Sequence, residues 1–340
     1  MALSNRTADV DALGRSLAGK RILVTGATGF IGSALSHRLL EYGVHVLALC
    51  RPPSKDTSLQ EQGIELVEGD ITDFPRIETI LSQDVNIIFH LAAWLRGSSP
   101  QEAMLTNVSA TQHLAEASAH QSVERFIYVS SIAVYGLHGD RDVDESTKLR
   151  LYGDLYGDSK ILAENALQGV VEKTNLAKVI IRPGMVYGPG SPGWTRRMGI
   201  WAKSGRLPLI DGGRGTAYPI YIENLVDLIV LSAVCPEAAG EAFNAVDDGP
   251  VTLAEFEGAY MKMVPTNHAI RLPGWVAALL AAVVDPFSPG LSYRYVVSQI
   301  RGRGLILNKK AKEQLGWRPR VDLAEGLRRS EEWLHSEGIL

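Results

Sequence analysis

The sequence predicts an α/β fold in which a doubly wound parallel sheet is followed by a smaller C-terminal region. Apolar strands alternate with helical patterns through the first half of the chain, and a glycine-rich turn joins the first strand to the next helix. This alternation ends after Pro183, where loops rich in glycine and proline begin. At 340 residues the chain can bury one large core or two.

The glycine-rich turn spans residues 25–32 and leads into a helical pattern. Glycine adopts backbone angles and allows close approaches that any side chain would block. Gly26 can form the tight turn, Gly29 can admit a pyrophosphate to the backbone, and Gly32 can let helix and strand pack closely. The N–H groups at the start of the helix favour phosphate oxygens. The turn therefore predicts a dinucleotide-binding site.

The remaining elements follow in chain order. Predicted strands cover 44–49, 64–67, 85–90, 125–130 and 178–181. Predicted helices cover 77–81, 101–119, 156–172, 224–234, 309–315 and 323–336. We expect a flexible leader at 1–19, a dinucleotide-binding domain at 20–190 to which 218–247 returns, and a substrate-binding region formed by 191–217 and 248–340.

The composition excludes several classes of protein. The formal net charge of −4 gives no overall attraction to nucleic acid. Cys50 and Cys235 match no metal or disulfide spacing, so we expect buried free thiols and no metal site. No apolar run reaches the roughly 20 residues of a membrane span, and residues 1–19 lack the apolar core of a signal peptide. We therefore expect a cytoplasmic protein that acts on a small molecule.

The stretch 272–284 is strongly apolar but too short to cross a bilayer. We interpret it first as a buried core helix and second as an apolar lid over a substrate pocket. An interfacial membrane anchor is the third interpretation, disfavoured because no basic cluster flanks the segment in the sequence.

Tyr156 and Lys160 are the first candidates for catalysis. They lie four residues apart in a predicted helix and so share one face. An ammonium near a phenol lowers the pKa of the phenol, which can then exchange a proton with a carbonyl or an alcohol. Ser131 follows a predicted strand at the edge where ligands bind, and its hydroxyl can hold the substrate oxygen. A surface pair and a turn-capping serine are the plainer interpretations.

Together these motifs make the chain resemble the extended short-chain dehydrogenase/reductases, the epimerase/dehydratase superfamily. The matching pieces are TGATGFIG (25–32), GDITD (69–73), HLAA (90–93), Asn107, VSSIAVYG (129–136), the Tyr156/Lys160 pair, RPGMVYGP (182–189) and LGWRPR (315–320). The nearest branches in character are the 3β-hydroxysteroid dehydrogenases and dihydroflavonol reductases. The resemblance implies a Rossmann fold, and a homodimer formed through helices 101–119 and 156–172.

The resemblance also implies a role for each matching position. Tyr156 would be the proton donor or acceptor, Lys160 would also hold the nicotinamide ribose, and Ser131 would be the catalytic serine. Asn107 would support the catalytic geometry, and Ser130 would only pack. The other implied cofactor contacts are Gly26, Thr28, Gly29, Phe30, Ile31, Gly32, Asp70, Ile71, Leu91, Ala92, Ala93, Val129, Pro183 and Val186.

The end of the second strand indicates which cofactor is preferred. Relatives that use NAD tend to place an acid there for the ribose hydroxyls. Here Cys50 fills the position, with Arg51 next to it and Lys55 close behind. Arginine suits a 2′-phosphate, so we expect NADP(H) to be preferred and NAD(H) to remain possible.

Three functions stay open. The first is an NADP(H)-dependent ketoreductase or alcohol dehydrogenase acting on a small, fairly apolar substrate. The second is a nucleotide-sugar 4-epimerase or 4-ketoreductase, in which Arg182, Arg196, Arg197 and Arg214 could serve a diphosphate. The third and most remote is a catalytically silent NADP-binding sensor, disfavoured because Ser131, Tyr156 and Lys160 are all present.

Overall fold

The computed structural model describes residues 8–51, 58–95, 99–265, 269–287 and 292–340. Its strands are β1 (Arg21–Thr25), β2 (His45–Cys50), β3 (Glu65–Glu68), β4 (Ile87–His90), β5 (Arg125–Val129), β6 (Lys178–Pro183), β7 (Met185–Tyr187), β8 (Pro208–Ile210), β9 (Thr216–Ala217), β10 (Pro219–Tyr221), β11 (Ala242–Ala245), β12 (Val251–Thr252) and β13 (Ile270–Leu272).

Helices connect and cover these strands. They are α1 (Val10–Gly14), α2 (Phe30–Glu41), α3 (Ser58–Glu61), α4 (Phe74–Leu81), α5 (Pro100–Ala103), α6 (Ala110–His120), α7 (Leu155–Val171), α8 (Arg197–Lys203), α9 (Ile222–Val234), α10 (Leu253–Lys262), α11 (Gly274–Val284), α12 (Tyr293–Arg301), α13 (Lys309–Leu315) and α14 (Leu323–Ser336). A π-helical segment, Met104–Ser109, joins α5 to α6.

The central sheet has the strand order β3-β2-β1-β4-β5-β6-β11, and every pair in it is parallel. Its middle strands are buried on both faces, which explains their unbroken apolar runs. The chain order reverses between β1 and β4, and ligands bind outside the carboxyl ends of the strands at such a point. The α/β fold class predicted from the sequence is confirmed.

Most of the predicted elements are present, but the long helix predicted at 101–119 is interrupted. The π-helical segment in its first half carries Asn107, which is buried. Such segments are often found at functional sites. Strand β11 pairs with β6, so residues 242–245 belong to the large sheet. Smaller two-stranded sheets (β7 with β10, β8 with β13, β9 with β12) lie in the later half.

The expectation of a flexible leader is wrong for residues 8–19. Residues 10–14 form α1, which packs against α9, and Val10 and Leu17 are buried. Asp11 accepts hydrogen bonds from the Tyr42 hydroxyl at 2.8 Å and from Arg320 at 3.1 Å. The partners lie far away in the sequence, so the local polarity of the leader gave no sign of them.

The expectation of a buried core helix at 272–284 is also wrong. Helix α11 buries only its small residues Gly274, Ala277 and Ala281. Its large side chains face outward, and Trp275 is 70% exposed.

Asp227 joins three parts of the chain beneath the leader. Its buried carboxylate accepts hydrogen bonds from Arg320 at 2.6 Å and from Arg38 at 3.2 Å. We predict that Asp227→Asn lowers the free energy of unfolding by about 2–4 kcal/mol, because it leaves two arginines without their buried counter-charge. Urea denaturation measures the change. Asp11→Asn, at a half-exposed position, is the matched control and costs under about 1 kcal/mol. Equal losses of unfolding free energy in the two variants would contradict the role of Asp227 as the buried counter-charge.

Candidate active site

The turn between β1 and α2 has the backbone that a phosphate cradle requires. Gly26 has φ +72°, and a Cβ there would lie 2.8 Å from the backbone nitrogen of Ala92. A Cβ on Gly32 would collide with the Gly26 carbonyl. No side chain caps α2 at Gly29, and Thr28 is exposed. The first N–H groups of the helix are therefore free of a capping side chain, and the residues present fit a dinucleotide pyrophosphate.

The ends of β2 and β3 form one side of this cradle. Cys50 is buried, and Arg51 is the exposed residue that follows it. Asp70 accepts two hydrogen bonds from Thr72, at 2.6 and 2.9 Å. Burial raises the pKa of the Asp70 carboxyl, but the Thr72 hydrogen bonds and the Arg51 charge outweigh it and hold that pKa below its ordinary value. Ile71 is buried, and Lys55 lies outside the described residues.

The other predicted cofactor contacts lie around the carboxyl ends of the central strands. Leu91, Ala92 and Ala93 follow β4 and are half-buried, and Ala92 N donates to Thr25 Oγ1 at 3.1 Å. The remaining members are Val129 at the end of β5, Pro183 at the end of β6, Val186 on β7, and Phe30 and Ile31 at the start of α2. The fold thus brings these positions to one edge of the sheet.

Ser131, Tyr156 and Lys160 meet beside the end of β5. Asp154 caps α7 by accepting from Gly157 N at 2.9 Å, which fixes where this helix begins. Ser131 lies close enough to the Tyr156 hydroxyl to lower the pKa of this phenol. The Lys160 ammonium is buried and donates to the Val129 carbonyl at 3.0 Å.

The pKa values of this pair differ from the sequence expectation. Burial raises the pKa of the Tyr156 phenol, and the hydrogen bond from Ser131 only partly offsets it. Burial also lowers the pKa of Lys160 to about 7, against the opposing charge of Glu164. Burial dominates at this phenol, so the expectation that the Lys160 ammonium lowers the pKa of Tyr156 is wrong.

Asn107 ties the loop after β4 to α7. Its side chain accepts from Trp94 N at 2.7 Å and donates to Trp94 O at 3.0 Å and to Ser159 Oγ at 2.8 Å. Ser159 lies on α7 between the two catalytic candidates. Asn107 therefore holds the geometry of the site, and the π-helical segment directs its side chain inward.

Sequence reasoning missed a buried chain of hydrogen bonds behind Lys160. His90 lies between Thr25 Oγ1 at 2.7 Å and Thr111 Oγ1 at 2.8 Å, and Thr111 donates to Asn107 O at 2.6 Å. Burial, together with the Lys160 charge, lowers the pKa of His90 to about 3, so the ring is neutral. The ring stacks on Tyr128, whose hydroxyl accepts from Lys160 at 3.2 Å. The only indication of this chain of hydrogen bonds in the sequence was the HLAA motif at 90–93, which contains His90.

Arg182 is not available to a ligand. Its guanidinium donates to both carboxylate oxygens of Glu164, at 2.6 and 3.0 Å, and to the Tyr135 hydroxyl at 2.9 Å. Both members of the ion pair are buried. Ser130 also donates to Glu164 at 2.6 Å, so it supports this pair rather than only packing. The expectation that Arg182 could serve a diphosphate is therefore wrong.

Two tyrosines border Ser131 and Tyr156 on the side of α12. The Tyr152 hydroxyl donates to the Ala133 carbonyl at 2.7 Å, and the Tyr152 and Tyr295 rings are 4.6 Å apart. Burial above all, with neighbours that include Tyr156, raises the pKa of Tyr295 to about 12. Both phenols are therefore protonated at neutral pH, and they present aromatic rings to this side of the site.

Comparison with known proteins agrees with this geometry. Residues 22–245 match the model of the NAD dependent epimerase/dehydratase family. The chain is 30% identical to a UDP-glucose 4-epimerase of Vibrio cholerae, over 92% of this chain and 94% of that protein. It is 27% identical to a 2-alkyl-3-oxoalkanoate reductase of Stenotrophomonas maltophilia, over 91% of this chain and 98% of that protein.

A solved structure extends the likeness to the whole fold. The epimerase Mth375 of Methanothermobacter thermautotrophicus superposes with a TM-score of 0.81 at 25% identity, over 97% of each chain. The family match covers the cradle, the catalytic candidates and the seventh strand of the sheet. The chain therefore belongs to the NAD-dependent epimerase/dehydratase family, and it is an NAD(P)-dependent enzyme of the extended short-chain dehydrogenase/reductase type.

Proposed function

We propose that the protein is an NADP(H)-dependent ketoreductase or alcohol dehydrogenase acting on a small, fairly apolar carbonyl or secondary alcohol. The observation that carries the proposal is the contact between Ser131 and Tyr156 beside a buried Lys160, on a fold in which Arg51 directly follows Cys50 at the end of β2. The arrangement of Ser131, Tyr156 and Lys160 can transfer a proton to an oxygen atom of the substrate. An uncharged Cys50 followed by Arg51 favours a 2′-phosphate over free ribose hydroxyls.

In this mechanism Ser131 and Tyr156 bind the carbonyl oxygen by hydrogen bonds that strengthen as negative charge develops on it. The bound nicotinamide supplies the hydride. Tyr156 supplies the proton, and the Lys160 ammonium stabilises the tyrosinate that remains. The raised pKa of the Tyr156 phenol keeps it protonated at neutral pH, as an acid in the reductive direction must be.

The preference for NADP(H) is tested at Arg51. We predict that Arg51→Ala weakens NADPH binding about 10–100-fold, because the guanidinium can form charge-assisted hydrogen bonds only with the 2′-phosphate. NADH affinity should change less than about threefold. Titration of the purified protein with each cofactor measures both values. Arg15→Ala removes an exposed cation on the leader as the matched control. Equal loss of both affinities would contradict the assignment.

Two observations support an apolar substrate. Arg182 forms a buried ion pair with Glu164 and is not available to a diphosphate. The aromatic pair Tyr152/Tyr295 borders the catalytic residues. The 2-alkyl-3-oxoalkanoate reductase among the relatives is named for a ketone with alkyl chains. We therefore place the substrate among ketones that carry alkyl or ring carbon rather than a sugar nucleotide.

The role of Tyr156 is tested on water-soluble β-keto esters. We predict that Tyr156→Phe lowers kcat about 10²–10⁴-fold, because the variant retains the ring but has no proton to give. NADPH affinity should stay within about threefold of the original. Tyr42→Phe, which removes a remote hydroxyl bonded to Asp11, is the control. Undiminished turnover by Tyr156→Phe would refute the mechanism.

The burial of Lys160 gives a pH dependence of stability. Its pKa of about 7 in the folded protein is below the unfolded value, so the unfolded chain binds more protons between pH 7 and 10.5. The free energy of unfolding should therefore rise with pH across this window, by roughly 2–4 kcal/mol relative to Lys160→Met. Urea denaturation at several pH values checks this. Lys173→Met, at an exposed site, keeps Lys160 and should show the same rise with pH as the original protein.

We also propose a homodimer through α6 and α7, and a cytoplasmic location. Met104 and Leu105 are 37% and 45% exposed at the start of the helical stretch that leads into α6. Exposed apolar side chains on a helical face suit a helix-to-helix interface. The division of the chain into a dinucleotide-binding domain and a substrate-binding region also stays a prediction.

A nucleotide-sugar 4-epimerase or 4-ketoreductase is the second candidate. The 30% identity to a UDP-glucose 4-epimerase favours it, as does a cavity of about 380 Å³ beside Tyr152. Lys148 and Arg150 line this cavity, and cations suit a diphosphate. Arg196 and Arg214 are exposed, and Arg197 stacks on Trp194 and Trp201.

A further inference from the structure

Helix α11 has an inverted arrangement of side chains. Its buried residues are the small ones Gly274, Ala277 and Ala281, and most of its large apolar residues face outward. Leu279, Leu280 and Val283 are 59%, 51% and 60% exposed, with Trp275 at one end and Phe287, 83% exposed, beyond the other. We call these five exposed residues the apolar face. It covers on the order of 600 Å², which is at the upper limit for a monomer and marks an interaction surface.

The fold places arginines at both ends of this helix. Near its start, Arg301 pairs with Asp211, which also accepts from Gly274 N, and the charge of Arg214 acts on the same carboxylate. At its end, Arg294 pairs with Asp285. Segments 204–216 and 269–303 together carry six arginines and two aspartates, in a chain whose net charge is −4. The basic groups come from separated segments, so no basic cluster was visible in the sequence.

We infer that the apolar face docks on the surface of an anionic lipid membrane, with the arginines against the headgroups. Apolar side chains that include tryptophan can enter the boundary between headgroups and acyl chains, and basic residues beside them are attracted to anionic lipid. No helix of the part of the chain that the structure describes could span a bilayer, so the contact is with the surface.

A second copy of the chain fits this surface less well. Symmetric pairing through α11 would bring the arginines of both copies together, and like charges across an interface are unfavourable. Anionic lipid matches both the apolar character and the positive charge.

The position of α11 suggests why the protein would dock on a membrane, an argument that rests on the proposed function. Helix α11 packs on α12, and Tyr295 of α12 lies against Tyr152 beside the catalytic residues. A membrane held by α11 therefore lies on the outer side of the helix pair that covers the site. Ketones with long alkyl chains partition into membranes, so docking brings the enzyme to its substrate.

The test is flotation of the full-length protein with lipid vesicles. We expect binding to phosphatidylcholine vesicles that contain about 30% phosphatidylglycerol, and weaker binding to phosphatidylcholine alone or in high salt. The double variant L279E/V283E should bind at least about tenfold more weakly. Arg271→Gln, at an exposed position next to α11, should bind about threefold more weakly to anionic vesicles only.

Control variants isolate the contribution of the apolar face to vesicle binding. Leu13→Glu adds one negative charge, where the double variant adds two, at an exposed apolar position on α1, and it should bind as the original protein does. Thermal unfolding and NADPH affinity confirm that each variant is folded. Absence of vesicle binding by the original protein, or equal binding by L279E/V283E, would overturn the inference. So would a change in the oligomeric state of the lipid-free double variant, which would indicate a second copy instead. Loss of ketoreductase activity in every assay, with vesicle binding retained, would overturn only the proposed function.

Discussion

The burial of the Lys160 ammonium is the interaction on which the catalytic arrangement depends. A lysine removed from water needs polar partners. Here the Val129 carbonyl and the Tyr128 hydroxyl accept hydrogen bonds from the Lys160 ammonium. Both partners belong to β5, so the strand and α7 must keep one register for the site to exist. The same register places Ser131, two residues beyond Val129, in contact with Tyr156.

Buried polar groups around the lysine make this arrangement rigid. Glu164, one turn beyond Lys160, is held by Arg182 and Ser130, and its charge opposes the loss of the proton from Lys160. On the other side, neutral His90 links the ends of β1 and β4 to the helical stretch that carries Asn107. Satisfied networks of this kind specify one geometry, because breaking any member leaves a buried group without a partner.

The parts of the structure that follow from local patterns could be predicted from the sequence. Apolar runs indicated six of the seven strands of the large sheet, all but β11, and Gly26 and Gly32 indicated a turn that tolerates no side chain. Tyr156 and Lys160 were found from their helical spacing and from the resemblance of the surrounding motifs.

The parts that depend on distant partners could not be predicted. Asp11 meets Arg320 across nearly the whole chain, and Arg182 meets Glu164 between a strand and a helix. Helix α11 was misjudged because an apolar composition does not reveal whether the large or the small side chains face the protein. In each case the deciding contact is tertiary.

As a ketoreductase, the enzyme we propose exchanges NADP(H) at every turnover, unlike an epimerase that regenerates its nicotinamide within one catalytic cycle. The most direct test is to denature the purified protein, identify any nucleotide that it releases, and then titrate the protein purified without nucleotide with NADPH and NADH. We expect little retained nucleotide, and tighter binding of NADPH than of NADH. One equivalent of retained NAD per chain would contradict it and would favour the nucleotide-sugar epimerase.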